Sequence, residues 1–156
     1  MKRQRLSGLL IILLTAGMGL AGCSDSSTDT SDPDGDSITG TWQLSSLVFS
    51  MGGGIELDVT TMDACLLETT LTFDEDGDFH YLYSSAGNGD ECSTSTGTGS
   101  WEHESGNSYS IAAEGLPVGQ GTQEISFSNN NNTFSFSENL QFEGLSGEAA
   151  VTFNRQ

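Results

Sequence analysis

From residue 38 onward, apolar and polar residues alternate in short runs separated by clusters of turn-forming residues. Two such runs, at residues 69–73 and 79–83, flank Asp76 and Gly77. Asp-Gly between alternating runs is the strongest short-range signal for a β-hairpin. No window keeps the i, i+3, i+4, i+7 apolar spacing of an amphipathic helix for three turns. The pattern predicts an all-β domain.

The first two runs predict another hairpin, whose first strand is irregular. Residues 38–49 change their apolar phase at Ser45 and Ser46, which indicates a β-bulge or a bend. Three glycines follow at residues 52–54, and apolar residues then alternate with polar ones over residues 55–59. We expect these two runs to pair with each other as antiparallel strands.

The later runs extend this pattern into a meander. The polar residues 84–95 predict a loop, after which alternating runs continue to a closing strand at residues 149–153. A long meander of short strands joined by local turns usually closes on itself, because closure removes the exposed edges. The sequence therefore predicts a small antiparallel up-and-down β-barrel of about 8–10 strands.

The amino terminus has the layout of an export signal. Basic residues precede an apolar run at residues 6–20, which is shorter than the about 20 residues of a membrane-spanning helix. The run ends in Leu20-Ala21-Gly22-Cys23, which resembles the lipobox of bacterial lipoproteins. The resemblance implies a signal peptide at residues 1–22, diacylglycerol on the Cys23 sulfur and an acyl chain on the new amino terminus. An ordinary signal peptide followed by a chance cysteine is the alternative.

The segment after Cys23 has the composition of a tether. Residues 24–37 contain only Ser, Thr, Asp, Gly and Pro, so they cannot bury enough apolar surface to offset the entropy of ordering. We expect a lipidated, disordered acidic tether at residues 23–37 and one domain at residues 38–156. Several acyl chains hold a protein at a bilayer almost permanently. By analogy with enteric sorting rules, an Asp directly after the lipidated cysteine would oppose an outer-membrane location. The residue there is Ser24, which predicts the outer membrane of the cell envelope.

The charge of the chain excludes one class of partner. The sequence has 22 acidic and 4 basic residues, and three of the basic ones lie in residues 1–22. Arg155 remains, so the mature chain carries 1 − 22 = −21 with neutral histidines. Nucleic-acid binding requires a basic surface, which this chain cannot form. The charge also opposes contact with anionic lipid headgroups, which leaves the acyl chains as the membrane contact.

Two cysteines remain once Cys23 carries the lipid. Cys65 and Cys92 form an even pair in an exported, oxidising compartment, which favours a disulfide between them. Their wide separation makes a poor zinc site, because zinc ligands usually come in closely spaced pairs. We expect the disulfide to staple the open end of the hairpin at residues 69–83.

Neither a metal nor a cofactor is expected. Alternate aspartates at residues 32–36 and 74–78 resemble the first half of a calcium loop. The sixth position of such a loop is glycine, but Ser37 and Phe79 stand there. We interpret the first triplet as part of the solvated tether and the second as a hairpin turn.

Catalysis has weak support in the sequence. A serine hydrolase needs a histidine beside a serine and a carboxylate, and the chain offers His80 and His103. Residues 144–148 lack the final glycine of a nucleophile elbow. In regular strands His80 points away from its aromatic neighbours, whereas His103 shares a face with Trp101. We therefore expect no enzymatic activity.

Several short motifs resemble the lipocalin-like domains of bacterial lipoproteins. They are Gly40-Thr41-Trp42 on the first strand, the hairpin at residues 71–79, Gly99-Ser100-Trp101, and the final strand at residues 150–153. The resemblance implies a calyx-like antiparallel barrel with Trp42 packed across its closed end. The one basic residue that could lie near that tryptophan is Arg155. The family includes binders of small apolar molecules.

The function expected from these features is a membrane-anchored, non-enzymatic envelope lipoprotein that binds a small apolar or amphiphilic molecule. The alternative is an envelope interaction or structural protein with a filled barrel, because a barrel of about eight strands either is filled by side chains or holds one small ligand. The sequence specifies no protein partner. The aromatic residues expected in the core are Trp42, Phe73, Phe79, Tyr81, Tyr83, Trp101, Tyr109, Phe127, Phe134, Phe136 and Phe153.

Overall fold

The alternating runs form antiparallel strands in the computed structural model, which describes residues 36–87, 91–142 and 145–156. The described strands are β1 (Gly40–Met51), β2 (Ile55–Asp58), β3 (Thr70–Phe73), β4 (Asp78–Ala86), β5 (Cys92–Ser105), β6 (Ser108–Ala113), β7 (Gly121–Glu124), β8 (Ser126–Ser128), β9 (Thr133–Phe142) and β10 (Leu145–Arg155). The α-helix α1 (Val59–Met62) and a 3₁₀ helix (Ala64–Glu68) lie between β2 and β3. The expected all-β architecture is confirmed.

One antiparallel sheet contains all ten described strands: nine follow the order β7-β6-β5-β4-β3-β1-β10-β9-β8, and β2 lies off this path and pairs with β1. The strand β2 pairs with the second half of β1, at residues 48–51, whereas β3 pairs with its first half, at residues 40–43. Most neighbours in the sheet are therefore neighbours in the chain, as in a meander. The carboxyl-terminal strand β10 joins the two halves of the sheet by pairing with both β1 and β9.

At one position, the sheet lacks the hydrogen-bonded closure that a closed barrel would have. The edge strands β7 and β8 are consecutive in the chain and are separated by Ile125 alone. Before Ile125 the chain pairs with β6, and after it the chain pairs with β9. The Ile125 backbone N–H instead donates to the carbonyl oxygen of Asn107 at 2.8 Å. The hydrogen-bonded ladder is therefore interrupted because the chain changes partner at this residue.

Both expected hairpins are present. The register of β1 against β10 shifts between Leu44 and Ser46, which is the expected irregularity, and β1 then pairs with β2. Between β3 and β4, Gly77 adopts a φ of +88°, a conformation that glycine reaches without steric cost. The Asp-Gly turn thus reverses the chain because its second residue has no side chain.

Two local expectations were wrong. The interval 84–95 is mostly strand, since β4 continues to Ala86 and β5 begins at Cys92. In this interval the β5 residues are exposed and the buried β4 residue is the polar Ser84, so neither strand shows an apolar alternation. The run at residues 55–59 also ends early, because the Asp58 side chain accepts from the Thr60 N–H and begins α1.

The core is the inward face of the sheet. The largest buried side chains are aromatic, and rings from strands distant in sequence pack edge to face at centroid distances of 4.7 to 6.3 Å. Nine of the eleven expected aromatic residues are buried, and Tyr83 and Phe127 are partly buried against the others. The expected core is therefore confirmed.

Candidate ligand-binding site inside the barrel

The barrel interior has two unlike ends. The tryptophan end contains Trp42, Phe73 and Phe134, whose side chains are at most 1% exposed. The Trp42 indole N–H donates to the Ile38 carbonyl oxygen at 2.7 Å, and its ring packs against Phe134 at a centroid distance of 4.7 Å. The buried polar atom of the indole is therefore satisfied within the protein, which a buried N–H requires.

Arg155 covers the tryptophan end. Its guanidinium carbon lies 4.2 Å from the centre of the Trp42 ring, within the range of a cation–π contact. The guanidinium also donates to backbone carbonyl oxygens of Ser37, Thr39 and Asn131. Burial lowers the pKa of Arg155, and these acceptors compensate the desolvation of its charge. The position of Arg155 beside Trp42 follows from the register, in which the two residues are direct partners.

Asp36, at the start of the described chain, contacts side chains at the tryptophan end. One of its carboxylate oxygens accepts from the Tyr109 hydroxyl at 2.8 Å, and the other lies 2.6 Å from Nδ1 of His103. The His103 ring stacks on Tyr109 at a centroid distance of 4.5 Å. Burial and the hydrogen bond to Asp36 raise the pKa of Tyr109. Asp36 and Ser37, which composition assigns to the tether, therefore contact the barrel.

The loop end is the opposite end of the interior and contains Phe49, Phe136, Glu138 and Ala149. Phe49 and Glu138 are the register partners of Ala149 on its two sides. Partners in an antiparallel ladder point to the same face, and Ala149 is completely buried. Glu138 also continues the alternation of the buried Phe134 and Phe136 on β9. Its carboxylate is therefore on the inward face.

Apolar side chains partly shield the carboxyl group of Glu138 from water. Its side chain is half-buried between Phe136 and Leu140 on β9, and burial raises its pKa above the ordinary value. One carboxylate oxygen accepts from the Gly119 backbone N–H at 2.9 Å, which opposes part of that shift. Sequence reasoning missed this residue, although its phase on β9 was a usable signal.

A glycine-containing loop at residues 114–120 covers the loop end. The Tyr81 hydroxyl donates to the Glu114 carbonyl oxygen at 2.8 Å, and Leu116 in the middle of the loop is 4% exposed. Gly119 has a φ of +80°, and a Cβ there would lie 3.0 Å from the Phe136 ring. Glycine thus lets the loop backbone approach both the ring and the Glu138 carboxylate.

The expected disulfide is present. Cys65 in the 3₁₀ helix and Cys92 at the start of β5 are bonded, with their Cα atoms 5.5 Å apart. The Asp63 side chain reinforces this connection, because its Oδ2 accepts from the Ala86 backbone N–H at 2.8 Å. The end of the β4–β5 hairpin is thereby fixed to the helical segment beside β3.

The other candidate sites do not assemble. Among the described residues, no group of three or more His, Cys, Asp or Glu side chains could hold a metal ion. Asp74 lies 3.2 Å from the outward-facing His80, while Asp76 accepts weakly from the Asp78 N–H. An open depression of about 740 Å³ adjoins this turn and is lined by Thr39, Gly40, Phe73, Asp74, Glu75 and Asp76. Neither histidine has a serine among its hydrogen-bond or ion-pair partners in the described ranges.

Several expectations concern residues outside the described ranges. Cys23, the signal peptide at residues 1–22 and the tether up to residue 35 lie there, as does the first residue of the elbow-like segment 144–148. In the described part of the chain, neither helix has the length and apolar content needed to cross a bilayer.

Comparison with known proteins identifies the family. A family model described as a lipocalin-like domain matches residues 38–136, and the chain therefore belongs to the lipocalin-like family. No curated protein matches the chain. The solved structures that resemble it include the siderocalin Ex-FABP, described as functioning through dual ligand specificities. That structure has a TM-score of 0.46 and 11% identity over 78% of this chain and 75% of its own. A de novo designed fluorescence-activating β-barrel gives a TM-score of 0.34 and 16% identity over 77% of this chain and 94% of its own.

Proposed function

We propose that the protein is a membrane-anchored lipoprotein of the cell envelope whose barrel binds a small apolar or amphiphilic molecule at the loop end. It performs no enzymatic reaction and uses no cofactor. The main support for the proposal is the difference between the two ends of the barrel interior. The tryptophan end is filled by packed aromatic rings, whereas the loop end combines apolar walls, a small Ala149 and a half-buried carboxylate under a loop. Apolar walls with few polar groups are typical of small-molecule sites.

Membership of the lipocalin-like family supports the same proposal, because such domains typically bind small hydrophobic ligands. The loop at residues 114–120 would be the element that moves when a ligand enters. Its contacts with the barrel include one hydrogen bond from Tyr81, one to Glu138 and the buried Leu116. A loop outside the strand ladder opens at a lower free-energy cost than a paired strand does.

A second candidate is an interaction protein with a filled barrel. Two aromatic rings at the loop end occupy the space beside inward-facing glycines, which favours this alternative. A Cβ on Gly97 would lie 2.5 Å from the Tyr81 ring, and a Cβ on Gly147 would lie 2.6 Å from the Phe49 ring. If these rings stay in place, the interior is a solid core and the surface carries the function.

A pair of adjacent alanines on β10 tests the proposal. Ala149 is buried and points inward, whereas Ala150 is exposed and points outward. We expect the full-length chain in lipid nanodiscs to bind a neutral apolar fluorophore such as N-phenylnaphthylamine. Ala149→Leu should weaken this binding at least about tenfold by filling the interior, and Ala150→Leu should leave it unchanged. Absence of fluorophore binding by the wild type, or equal effects of the two substitutions, would support the filled barrel instead.

The membrane anchor is tested at Cys23. We expect Cys23→Ala to abolish acylation and to leave an unprocessed or released form, because the lipobox resemblance assigns the lipid to this sulfur. Metabolic labelling with a fatty acid and fractionation of membranes measure both results. Recovery of the variant in membranes with unchanged lipid labelling would refute the anchor. Fractionation of the wild type also tests the outer-membrane location inferred from Ser24.

A further inference from the structure

The half-buried Glu138 has no cationic partner within the described part of the protein. After Arg5, the sequence contains Arg155 as its one lysine or arginine. Arg155 pairs with Trp42, whereas Glu138 pairs with Ala149, so the arginine lies six residues further along β10. At about 3.4 Å per residue, this separation is about 20 Å. Arg155 is also fully engaged by the Trp42 ring and three carbonyl oxygens.

The two histidines are equally unable to neutralise Glu138. His80 is exposed on the outward face of β4, 3.2 Å from Asp74. His103 is at the tryptophan end, against Asp36 and Tyr109. No described basic side chain therefore approaches the inward carboxylate.

The protein itself provides one hydrogen-bond donor to Glu138, and the rest of the half-buried carboxylate faces solvent. An ionised carboxylate has about four acceptor positions, and in the described residues the Gly119 N–H occupies one of them. Burial of a carboxylate is unfavourable unless a cation or several donors compensate it. Apolar side chains flank it along β9, since Phe136 precedes it and Leu140 follows it on the same face. A ligand that supplied both positive charge and N–H donors would satisfy this position.

We propose that Glu138 is the polar recognition group of the barrel and that its ligand is an apolar molecule bearing a protonated amine. The inference rests on the binding function proposed above and specifies the ligand class for that site. The apolar part of the ligand would contact Phe49, Phe136 and Leu140, and its ammonium group would donate to the Glu138 carboxylate. The high negative charge of the chain would favour the approach of a cation from solution.

Two ligands with the same tail separate the contribution of the amine. Octylamine and octanol share an apolar chain, but octylamine alone is cationic at neutral pH. Each is titrated against the bound N-phenylnaphthylamine on the full-length protein in phosphatidylcholine nanodiscs, with empty nanodiscs as the blank. We expect octylamine to displace the fluorophore at least about tenfold more tightly than octanol does, as a charge-assisted hydrogen bond provides.

The matched variants are Glu138→Gln and Glu148→Gln. Both remove one negative charge, but Glu148 is exposed on the outward face of β10. We expect Glu138→Gln to abolish the preference for octylamine and to keep the affinity for octanol, whereas Glu148→Gln keeps the preference. Equal affinities of the two ligands for the wild type, or equal losses in the two variants, would overturn the inference while the binding function stands. If the wild type does not bind the fluorophore, the binding function fails and the inference fails with it.

Discussion

The charged side chains at the two ends of the barrel differ in the partners that the protein provides for them. At the tryptophan end, the Arg155 guanidinium lies on the Trp42 ring and donates to three backbone carbonyls, so the protein itself provides its partners. At the loop end, the Glu138 carboxylate accepts from Gly119 and has no basic side chain near it among the described residues. The first group has its partners within the protein, whereas the second has one backbone N–H and solvent.

From this difference we infer that the tryptophan end stabilises the fold, and it is the basis for proposing the loop end as the binding region. Complete polar pairing and dense aromatic packing rigidify a region, because each group loses partners if it moves. A carboxylate with one protein donor can accept from a ligand in place of solvent. Substitutions at the tryptophan end should therefore change the free energy of unfolding, and substitutions at the loop end should change binding and pH dependence.

Removal of the central tryptophan should have the largest effect. We expect Trp42→Ala to lower the free energy of unfolding by about 3 to 5 kcal/mol, because it removes a fully buried ring from the core. Denaturant titration of the full-length chain measures this loss. The exposed Met62 provides the control, since Met62→Ala should change stability by less than about 0.5 kcal/mol. Similar midpoints for the two variants would contradict the structural role of the tryptophan end.

Loss of the disulfide should have the next largest effect. The bond between Cys65 and Cys92 closes a loop of about 28 residues, and the chain-entropy estimate for that length is about 3.5 kcal/mol. We expect the double substitution Cys65→Ser with Cys92→Ser to lower stability by about this amount. Reduced wild type should unfold at the same denaturant concentration as the double variant. Alkylation of both thiols without prior reduction would show that the bond does not form.

The arginine at the tryptophan end should contribute somewhat less. We expect Arg155→Met to cost about 2 to 3 kcal/mol, because it removes a cation–π contact and charge-assisted hydrogen bonds but keeps an apolar stem. Arg155→Lys should fall between Met and the wild type, since an ammonium group cannot reproduce the planar fork of the guanidinium. Unfolding midpoints test the order. A lysine variant as stable as the wild type would mean that charge alone is sufficient.

Substitution of Glu138 at the loop end should give the smallest change in stability, and the size of this change should depend on pH. Burial raises the pKa of Glu138 above 4.5 in the folded protein, so its contribution to stability is fully present below that pH. The contribution is lost as the pH rises through the raised pKa, because the buried carboxyl then ionises. We expect the stability of Glu138→Gln relative to the wild type to increase between pH 4.5 and neutrality. Unfolding at several pH values measures the effect, with the exposed Glu148→Gln as the control for removal of one charge. A difference between Glu138→Gln and the wild type that does not change with pH would contradict the effect.

Local patterns were sufficient for the strands and the core. The alternation around Asp76 and Gly77 predicted the β3–β4 hairpin, and the phase change at Ser45 and Ser46 predicted the irregularity in β1. The pattern failed at residues 84–95, because the β5 residues there are exposed and the buried residue of β4 is the polar Ser84. It also failed at residues 55–59, where the Asp58 cap begins a short helix although the apolar alternation continues.

The candidate site was harder to predict than the fold. The phase of Glu138 on β9 follows from the sequence, but the absence of a nearby cation among the described residues becomes meaningful only when the position of Arg155 is known. The same is true of the loop at residues 114–120, whose mixture of apolar, polar and glycine residues does not indicate that it folds onto Phe136 and Glu138. These relations depend on contacts between segments that are distant in the chain.

Residue patterns and counts were enough to predict the all-β class, the aromatic residues of the core, the bond between Cys65 and Cys92 and the scarcity of positive charge. These properties depend on local alternation and on counts of residue types, which need no knowledge of long-range contacts. Three-dimensional contacts were needed to learn that Arg155 lies on Trp42, that the ladder is interrupted at Ile125, and that the inward Glu138 has no described cation beside it. The physical reason is that strand order and register select which distant residues meet, and a shift of one residue in register would turn each side chain to the other face.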